Sequence, residues 1–586
     1  MGNNRDRKPF LTATVLDQEF LDHAHDNLLN QLELVVDIER PPRPTESEPV
    51  FIRASDRGKY KGSTFYEALL KFPVIRRTIG QFLSPTIEFS AISLELSNVD
   101  GRLNDVLPAG DNFAGWIGRD VDVQLGLRDV ASSYTSIFKG TITEEGGFSR
   151  SIKSISINAR DNFDKLNQTF PNTVFKKADF PALEGELENV IIPYIYGDWT
   201  VNIEPVLNAS VPATPVNGAD TTVNGDVSHV TPVLCIISEN ANASFDTSGV
   251  VLKRGDKAWR FDSSDIGSVV SNRQFEITQN GTNMTALTPD TTNDPFEYSS
   301  GDEILVRVIG KDVTALGATN SNIVSQGRDV LNTFAGTVAG DFDASWDTFR
   351  DKAAPAESAV SAMKSRIWIQ EPVAALEFVL SLFEQVRLEA FIDRNLKIKM
   401  SSLHLDDFVA SPAFSIRNFD VEKDSFTPML DERNNFNRAQ GVYNFLPNRN
   451  ENLNSTPIIK NTVAVTAADD KEISKKIVFP NLYEESTVKD QLEQILRIAS
   501  GYIEHIELNA TWRSVLLDIG DFVKINVQIQ GTVFSNVPAM IREIGYDPQG
   551  IKIPMRLWSF QMLPFPGHSP GFAGITGGNL VTITEE

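Results

Sequence analysis

Along the first third of the chain, hydrophobic and polar residues alternate with a period of two. IEFSAISLEL puts Ile87 and Phe89 on one face, then Ile92, Leu94 and Leu96 on one, with the parity switching at Ser90-Ala91. Such a switch predicts a bulge within a continuing strand. GRDVDVQLGL alternates through Val121, Val123, Leu125 and Leu127. SIFKGTITEE and SIKSISINAR follow, joined through Gly146-Gly147, with Ile152, Ile155 and Ile157 among polar neighbours. These runs predict antiparallel strands between Phe51 and Phe170, enough to close a small barrel, with a short helix (ARDNFDKLNQ) behind it.

The pattern changes along the rest of the chain. Residues 1–50 read as an N-terminal arm, with a short helix over LDQEFLDHAHDNLLNQL and a proline-rich linker, ERPPRPTESEP. Residues 51–200 carry the first barrel and its trailing helix. Residues 201–315 are rich in Asn, Thr, Ser, Asp and Gly, with short strands (VLCIIS, GVVLKRG, KAWRFD, DEILVRVIG), and predict a β-rich insertion. Residues 316–430 predict an α+β domain. It holds an amphipathic helix in SNIVSQGRDVLNTF, a second over 372–385 starting at Pro372, and a hairpin over 388–400 that turns at Asp393-Arg394-Asn395. Residues 431–565 predict strands around a helix in KDQLEQILRIASGYI, and residues 566–586 a flexible glycine-rich tail. No period of 20–50 residues repeats, which excludes a solenoid. The fold class is mainly β with α+β parts, in several domains.

One acidic stretch invites a metal reading. Asn98-Val99-Asp100-Gly101 looks like a shortened calcium loop. With Gly101 at position 6 of an EF-hand loop, positions 1 and 12 fall on Leu96 and Leu107, which offer no oxygen ligand. Asp100-Gly101 therefore reads as a turn.

Bulk composition narrows the function. The chain has 586 residues and a formal net charge of -24, a surface that repels phosphate backbones and disfavours sequence-reading nucleic-acid binding. The same charge suits a wall that a polyanion slides past, although solubility alone accounts for it equally well. The single cysteine, Cys235, forms no intrachain disulfide and reads as a small buried hydrophobe. MGNNRDRKPF lacks the apolar core of a cleaved signal, and no window reaches the roughly 18 apolar residues of a membrane span, so no membrane anchor is expected.

Catalytic patterns are absent from the sequence. None of the histidines (His23, His25, His229, His404, His505, His568) lies in HExxH, and there is no GxSxG, Walker or GxGxxG motif. His23 and His25, near Asp26, sit two apart and diverge on a helix. The adjacent acids Glu144-Glu145, Asp406-Asp407 and Asp469-Asp470 face opposite ways on a strand and make poor acid/base pairs. No catalytic residue, cofactor or metal ligand is assigned. A structural or interaction role is expected, with a cell-wall hydrolase or a receptor-binding module as alternatives.

The stretch GSTFYEALLKFPVIRRTIGQFLSPTIEFSAISLELSNVDGRLND resembles the opening of bacteriophage tail hub (baseplate hub or tail-tip) proteins. WIGRDVDVQLGL, IFKGTITEE, SISINARDNFDKLNQTFPNTVF and IIPYIYGD continue in the same order. GRDVLNTF, FDASWDTF and IQEPVAALEFVLSLFEQVRLEAFIDRNLKIKM look like that family's central block, and LLDIGDFVKI with IREIGYDPQGIKIPMRLW like its closing domain. The resemblance covers residues 50–200 and 320–563. It implies two tail-tube-like β-barrels per chain, the second over 431–565. It implies a homotrimer that matches a six-fold tube to three-fold tip components. Its implied partners are a tail tube or distal tail protein, the tape measure protein, and tip or fibre proteins, with DNA passing the lumen unread. The implied location is the virion, after assembly in the host cytoplasm. Alternation offers Asp120, Asp122 and Glu144 as acids facing that lumen.

Overall fold

The computed structural model describes residues 32–41, 50–56, 58–68, 70–71, 75–81, 84–88, 91–105, 113–127, 134–143, 148–151, 153–161, 166–181, 183, 185–216, 233–270, 273–277, 285–288, 301–316, 319–353, 363–393, 397–403, 414–422, 424–431, 435–500, 502–511, 514, 517–529, 532–546, 552–561 and 583–585. It is mainly β, in several sheets with a few helices among them.

The first sheet uses β1 (Leu32–Arg40), β2 (Val50–Ser55), β3 (Lys59–Lys61), β4 (Thr64–Ala68) and β5 (Leu70–Lys71). The chain then leaves it for β6 (Ile75–Gln81) and β7 (Ser84–Glu88). It returns for β8 (Ala91–Ser97), β9 (Asp120–Leu127), β10 (Thr135–Ile142), β11 (Phe148–Arg150) and β12 (Ser154–Asp161). The order is β3-β4-β2-β1-β9-β10-β12-β8-β5, with β11 on β12. β4 pairs in parallel with β2 while β5, one position further on, pairs with β8. One segment thus touches both ends of the order, and the sheet closes on itself. Leu34, Val36 and Ile38 of β1, Val121 and Val123 of β9, and Ile155 and Ile157 of β12 point into its core. Burying each stabilises by about 1.5–3 kcal/mol against leaving it exposed.

Two expectations change here. Residues 1–50 are more than an arm, because β1 lies between β2 and β9 in the barrel wall. The parity switch at Ser90-Ala91 marks a change of sheet between β7 and β8, not a bulge within one strand. The turn after β8 holds as a turn: Gly101 has φ +73° and its N–H donates to the Asn98 carbonyl, while the Asn98 Oδ1 accepts from Leu103 N. A Cβ at that φ is disfavoured, which is why glycine stands there.

Short pairs β13 (Thr169–Phe170) and β14 (Tyr194–Tyr196) lead into the insertion. It comprises β15 (Val211–Pro215), β16 (Val233–Ile236), β17 (Asn242–Arg254), β18 (Lys257–Arg260), β19 (Ile266–Val270), β20 (Gln274–Ile277), β21 (Thr285–Ala286) and β22 (Glu303–Lys311), in the order β19-β20-β16-β15-β22-β17-β18-β21. Cys235 is fully buried there, and burial pushes its thiol pKa up.

An α/β block follows. α1 (Ile323–Phe334) is capped by Asn322, whose side chain accepts from Ser325 N. After α2 (Ser345–Ala353) come β23 (Ile367–Ile369) on β14 and β24 (Val373–Ala374) on β13. α3 (Ala375–Glu384) therefore starts three residues later than Pro372 suggests, because Val373 and Ala374 pair with Phe170 and Thr169 first. β25 (Leu388–Ile392) and β26 (Ile398–Ser402) form the expected hairpin; residues 394–396 of its turn lie outside the described residues.

The closing part distributes over two sheets. β27 (Phe414–Arg417) and β28 (Thr427–Asp431) are followed by β29 (Arg438–Leu446), β30 (Glu451–Ser455), β31 (Ile459–Asn461), α4 (Thr462–Ala467), β32 (Ser474–Phe479) and α5 (Glu485–Ala499). β29 pairs β30, β31 and β32, and α5 packs its apolar face into the same core as α1 and α3. Residues 438–499 thus belong with the α/β block and not with a barrel. β33 (Tyr502–Ala510), β34 (Phe522–Ile529), β35 (Thr532–Tyr546) and β36 (Ile553–Gln561) make a second sheet in the order β27-β34-β35-β36-β33-β28. β27 lies parallel to β34, β28 lies on β33, and Val421 between them bridges Ala510, so residues 414–431 close this sheet as 64–71 close the first. The β6–β7 hairpin adds to β35 through Thr78↔Glu543. The chain's last described residues, β37 (Ile583–Glu585), pair with β31, so the tail expected to be flexible ends in a strand.

Candidate interaction surface

In the first barrel, what alternates away from the core is charged. Register places Arg53, Asp37, Asp122 and Lys139 side by side across β2, β1, β9 and β10. Phe51, Glu39, Asp120 and Thr141 form the next row out. Like charges directly opposite one another cost stability, and here two acidic pairs occupy adjacent strands. The flanks compensate. Arg53 Nε lies 3.6 Å from Asp37, the Tyr66 hydroxyl donates to Asp37 Oδ2 at 2.9 Å, and Ser136 Oγ donates to Asp122 Oδ1 at 2.7 Å. Arg119 pairs with Glu39 at 2.5 Å.

Burial raises the Asp37 carboxyl above the usual carboxylate range; Tyr66, Lys61 and Arg53 pull it down and Asp122 pushes it up. Asp120 is raised too, by burial and then by Glu39. The Tyr66 hydroxyl is pushed up by burial and by Asp37. Between these residues lies a groove of about 360 Å³, lined by Asp37, Arg53, Tyr66, Asp120, Asp122 and Lys139 among others. Three carboxylates meet two cations, so the groove is acidic in balance but not uniformly acidic.

The β3–β4 hairpin folds onto this face with inverted polarity. Lys59 pairs with Glu33 at 2.8 Å, both side chains under a tenth exposed, and Lys61 hydrogen-bonds Gln124. Both ammonium groups lie over the Tyr134 ring, at 5.2 and 5.3 Å from its centre. Lys59 is opposite Tyr66 and Lys61 opposite Thr64, so these share one face. The opposite face carries the pair Tyr60–Phe65, with ring centroids 4.9 Å apart and exposures of 70% and 48%. Lysines point in and aromatics out.

In the second barrel part of the outer face is covered, while Arg556 and Glu507 stay exposed. Met540 and Trp558 pack into the core of the α/β block. Arg542, 2% exposed, pairs with Glu389 of β25 and lies 3.9 Å from the centre of the Trp558 ring. Arg77 of β6 pairs with Asp518 at 2.6 Å and donates to the Ile392 carbonyl. Lys399 of β26 pairs with Asp521 at 3.1 Å; burial alone would lower its pKa, but Asp521 and Asp518 hold it above the ordinary value.

Of the residues singled out in the sequence, Asp120 and Asp122 meet in this groove, pointing away from the core. Glu144, with Glu145, lies outside the described residues, as do His23, His25, Asp26, His229, His404, His568, Asp406 and Asp407. His505 sits on β33 edge-on to Trp558, ring centroids 5.7 Å apart. Asp469 and Asp470 are exposed turn residues with positive φ. Among the described residues, no three His, Cys, Asp or Glu are grouped to hold a metal ion, and no helix is long and apolar enough to cross a membrane. Sequence reasoning misses Asp37 and Glu39, although LELVVDIE already alternates. It also misses the hairpin, whose GKYKGSTFYE pattern gives no sign of which face turns inward.

A multi-barrel β protein with a charged groove and no reactive cluster among its described residues is what the geometry defines. No family model and no curated protein matches the chain. Among solved structures it is similar to the 43 kDa tail protein of prophage MuSo2 from Shewanella oneidensis (TM-score 0.37, 11% identity, 90% of this chain and 98% of that one). It is also similar to a tail protein from Neisseria meningitidis MC58 (0.38, 8%, 90% and 96%) and to prophage tail protein gp18 from Listeria monocytogenes EGD-e (0.37, 7%, 90% and 94%). At these scores and identities the likeness assigns neither a family nor a role.

Proposed function

We propose that the protein is a structural, non-enzymatic hub at the distal end of a bacteriophage tail. Three copies form a ring whose six barrels match a six-fold tail tube above and three-fold tip or baseplate components below. The tape measure protein and then DNA pass through its lumen. The carrying observation is the pair of closed barrels in one chain, each sealed by a single segment that brings in one parallel strand pair. The ordered resemblance of residues 50–200 and 320–563 to tail hub proteins supports the same reading. Asp120 and Asp122, turned away from the core, fit a wall that a polyanion slides along, and the flanking Arg53 and Lys139 moderate its charge. The test is native mass measurement of the protein with its tail-tube partner, together with electron microscopy of tagged virions. Three copies at the distal tail end are expected. A monomer in every mixture, or label elsewhere on the particle, overturns the proposal.

A further inference from the structure

We infer that the β-rich insertion is a fixed arm and not a swinging one, because Arg366 of the α/β block clamps its root. Domains joined in one chain move relative to one another unless their contact prevents it, so a fixed joint needs a specific cause. The chain enters the insertion from β14 and leaves it along β22. β14 pairs with β23 of the block, and Asp198 bridges Ile309 of β22. Two glycines lie where these segments cross. A Cβ on Gly197 would sit 2.5 Å from the Ser365 carbonyl oxygen, and one on Gly310 2.6 Å from that of Ile195. Glycine stands at both places because backbone meets backbone, and such contact leaves a hinge no room.

Arg366 stands directly before β23 and is 2% exposed. Its Nη1 donates to the Val201 carbonyl at 2.9 Å and its Nη2 to the Asn202 carbonyl at 3.1 Å, both on the insertion. Nη2 also donates to Asn444 Oδ1 on β29. The guanidinium lies 4.3 Å from the centre of the Trp199 ring, which is part of the insertion's core, and 5.2 Å from that of Tyr483, which follows β32. Asn202 returns the contact, donating from Nδ2 to the Tyr483 carbonyl at 3.2 Å. The acceptors that hold Arg366 are all uncharged. Burial pulls its pKa down to about 10, so it stays charged near neutral pH, held by carbonyls and rings in place of a carboxylate. Salt screens the neighbouring Glu204–Arg449 pair, whose arginine is 43% exposed, but not a buried contact of this kind. A lysine does not replace it, because an ammonium has no planar fork to span two successive carbonyls while stacking on a ring. The joint lies within one chain and does not depend on the ring.

The test takes the full chain with D256C, in the turn between β17 and β18, and T348C, on α2, both exposed. The two sites are spin-labelled and the chain is diluted with unlabelled copies, so that only distances within one copy are read; buried Cys235 stays unlabelled. One narrow distance is expected, unchanged at about 1 M salt. R366M is expected to broaden it and to speed amide exchange along the β14–β23 pair by about tenfold or more, while the β17–β22 pair inside the insertion keeps its protection. R366K is expected to behave as R366M does. A broad distance in the unaltered chain, or one that broadens in salt, overturns the inference, and this arm needs no variant that weakens the fold. R366M as narrow and as protected as the unaltered chain overturns it too, since the joint then holds without Arg366. Full rescue by R366K overturns the clamp chemistry, leaving charge alone as the cause. None of these outcomes touches the hub reading, which stands or falls on copy number and position in the virion.

Discussion

The two barrels are closed by the same device but finish differently on their outer faces. In the first, charges in the Asp37–Asp122 rows line an open groove, roofed in part by a hairpin. In the second, part of the corresponding face is covered by β25–β26, with two buried pairs, Arg542–Glu389 and Arg77–Asp518, and a half-buried one, Lys399–Asp521. A charged strand face therefore does not by itself mark a lumen or a binding surface. What decides is whether another element lands on it. A buried ion pair contributes little net stability but makes the contact intolerant of losing one partner, so it fixes where the α/β block sits.

The largest effect is expected at that seal. Arg542→Ala strands Glu389 without its partner and should cost about 3–5 kcal/mol, read as a lowered unfolding midpoint in urea. The double variant R542M/E389M should recover most of that loss; if it is as damaged as the single, the pair does more than fix position. Next is Gly520, which has φ +77° and whose added Cβ would sit 2.2 Å from the Phe391 ring. Gly520→Ala should cost about 2–3 kcal/mol by strain and overpacking, seen as a lower melting temperature. On the first barrel, Lys59→Ala leaves Glu33 buried beside Tyr134 and should cost about 2 kcal/mol. Faster proteolysis within residues 56–68 would report the freed hairpin, and unchanged cleavage would show that the pair does not hold it.

The smallest effect concerns Asp37. Its folded pKa is raised, so its ionisation opposes folding: the cost is absent below the unfolded carboxylate pKa of about 4 and develops as pH rises through the higher folded value. Asp37→Asn keeps an acceptor for Tyr66. It should therefore stabilise by about 0.5 kcal/mol at pH 7, discounted for partial exposure and the lost Arg53 pair, and by nothing at pH 3.5. A variant destabilised at pH 7 would mean that Arg53 outweighs burial and Asp122 together.

Much of this was legible from the order of residues. Alternation located β8, β9, β10 and β12, and the helical period located α1, α3 and α5, because each depends on near neighbours along the chain. LELVVDIE carries the same signal for β1, although residues 1–50 read as an arm with a short helix and a linker. Asp120 and Asp122 could be placed on an outer face by parity alone.

Tertiary structure decided the rest. Thr78 meets Glu543, and Arg542 meets Glu389, across separations in sequence that no local pattern encodes. Whether Lys59 or Tyr60 turns inward depends on Glu33 and Tyr134 waiting on other strands. Periodicity tells a residue which side of its own strand it occupies. Only packing tells it whether that side meets water, a groove or another domain, because burial is a property of what arrives from elsewhere.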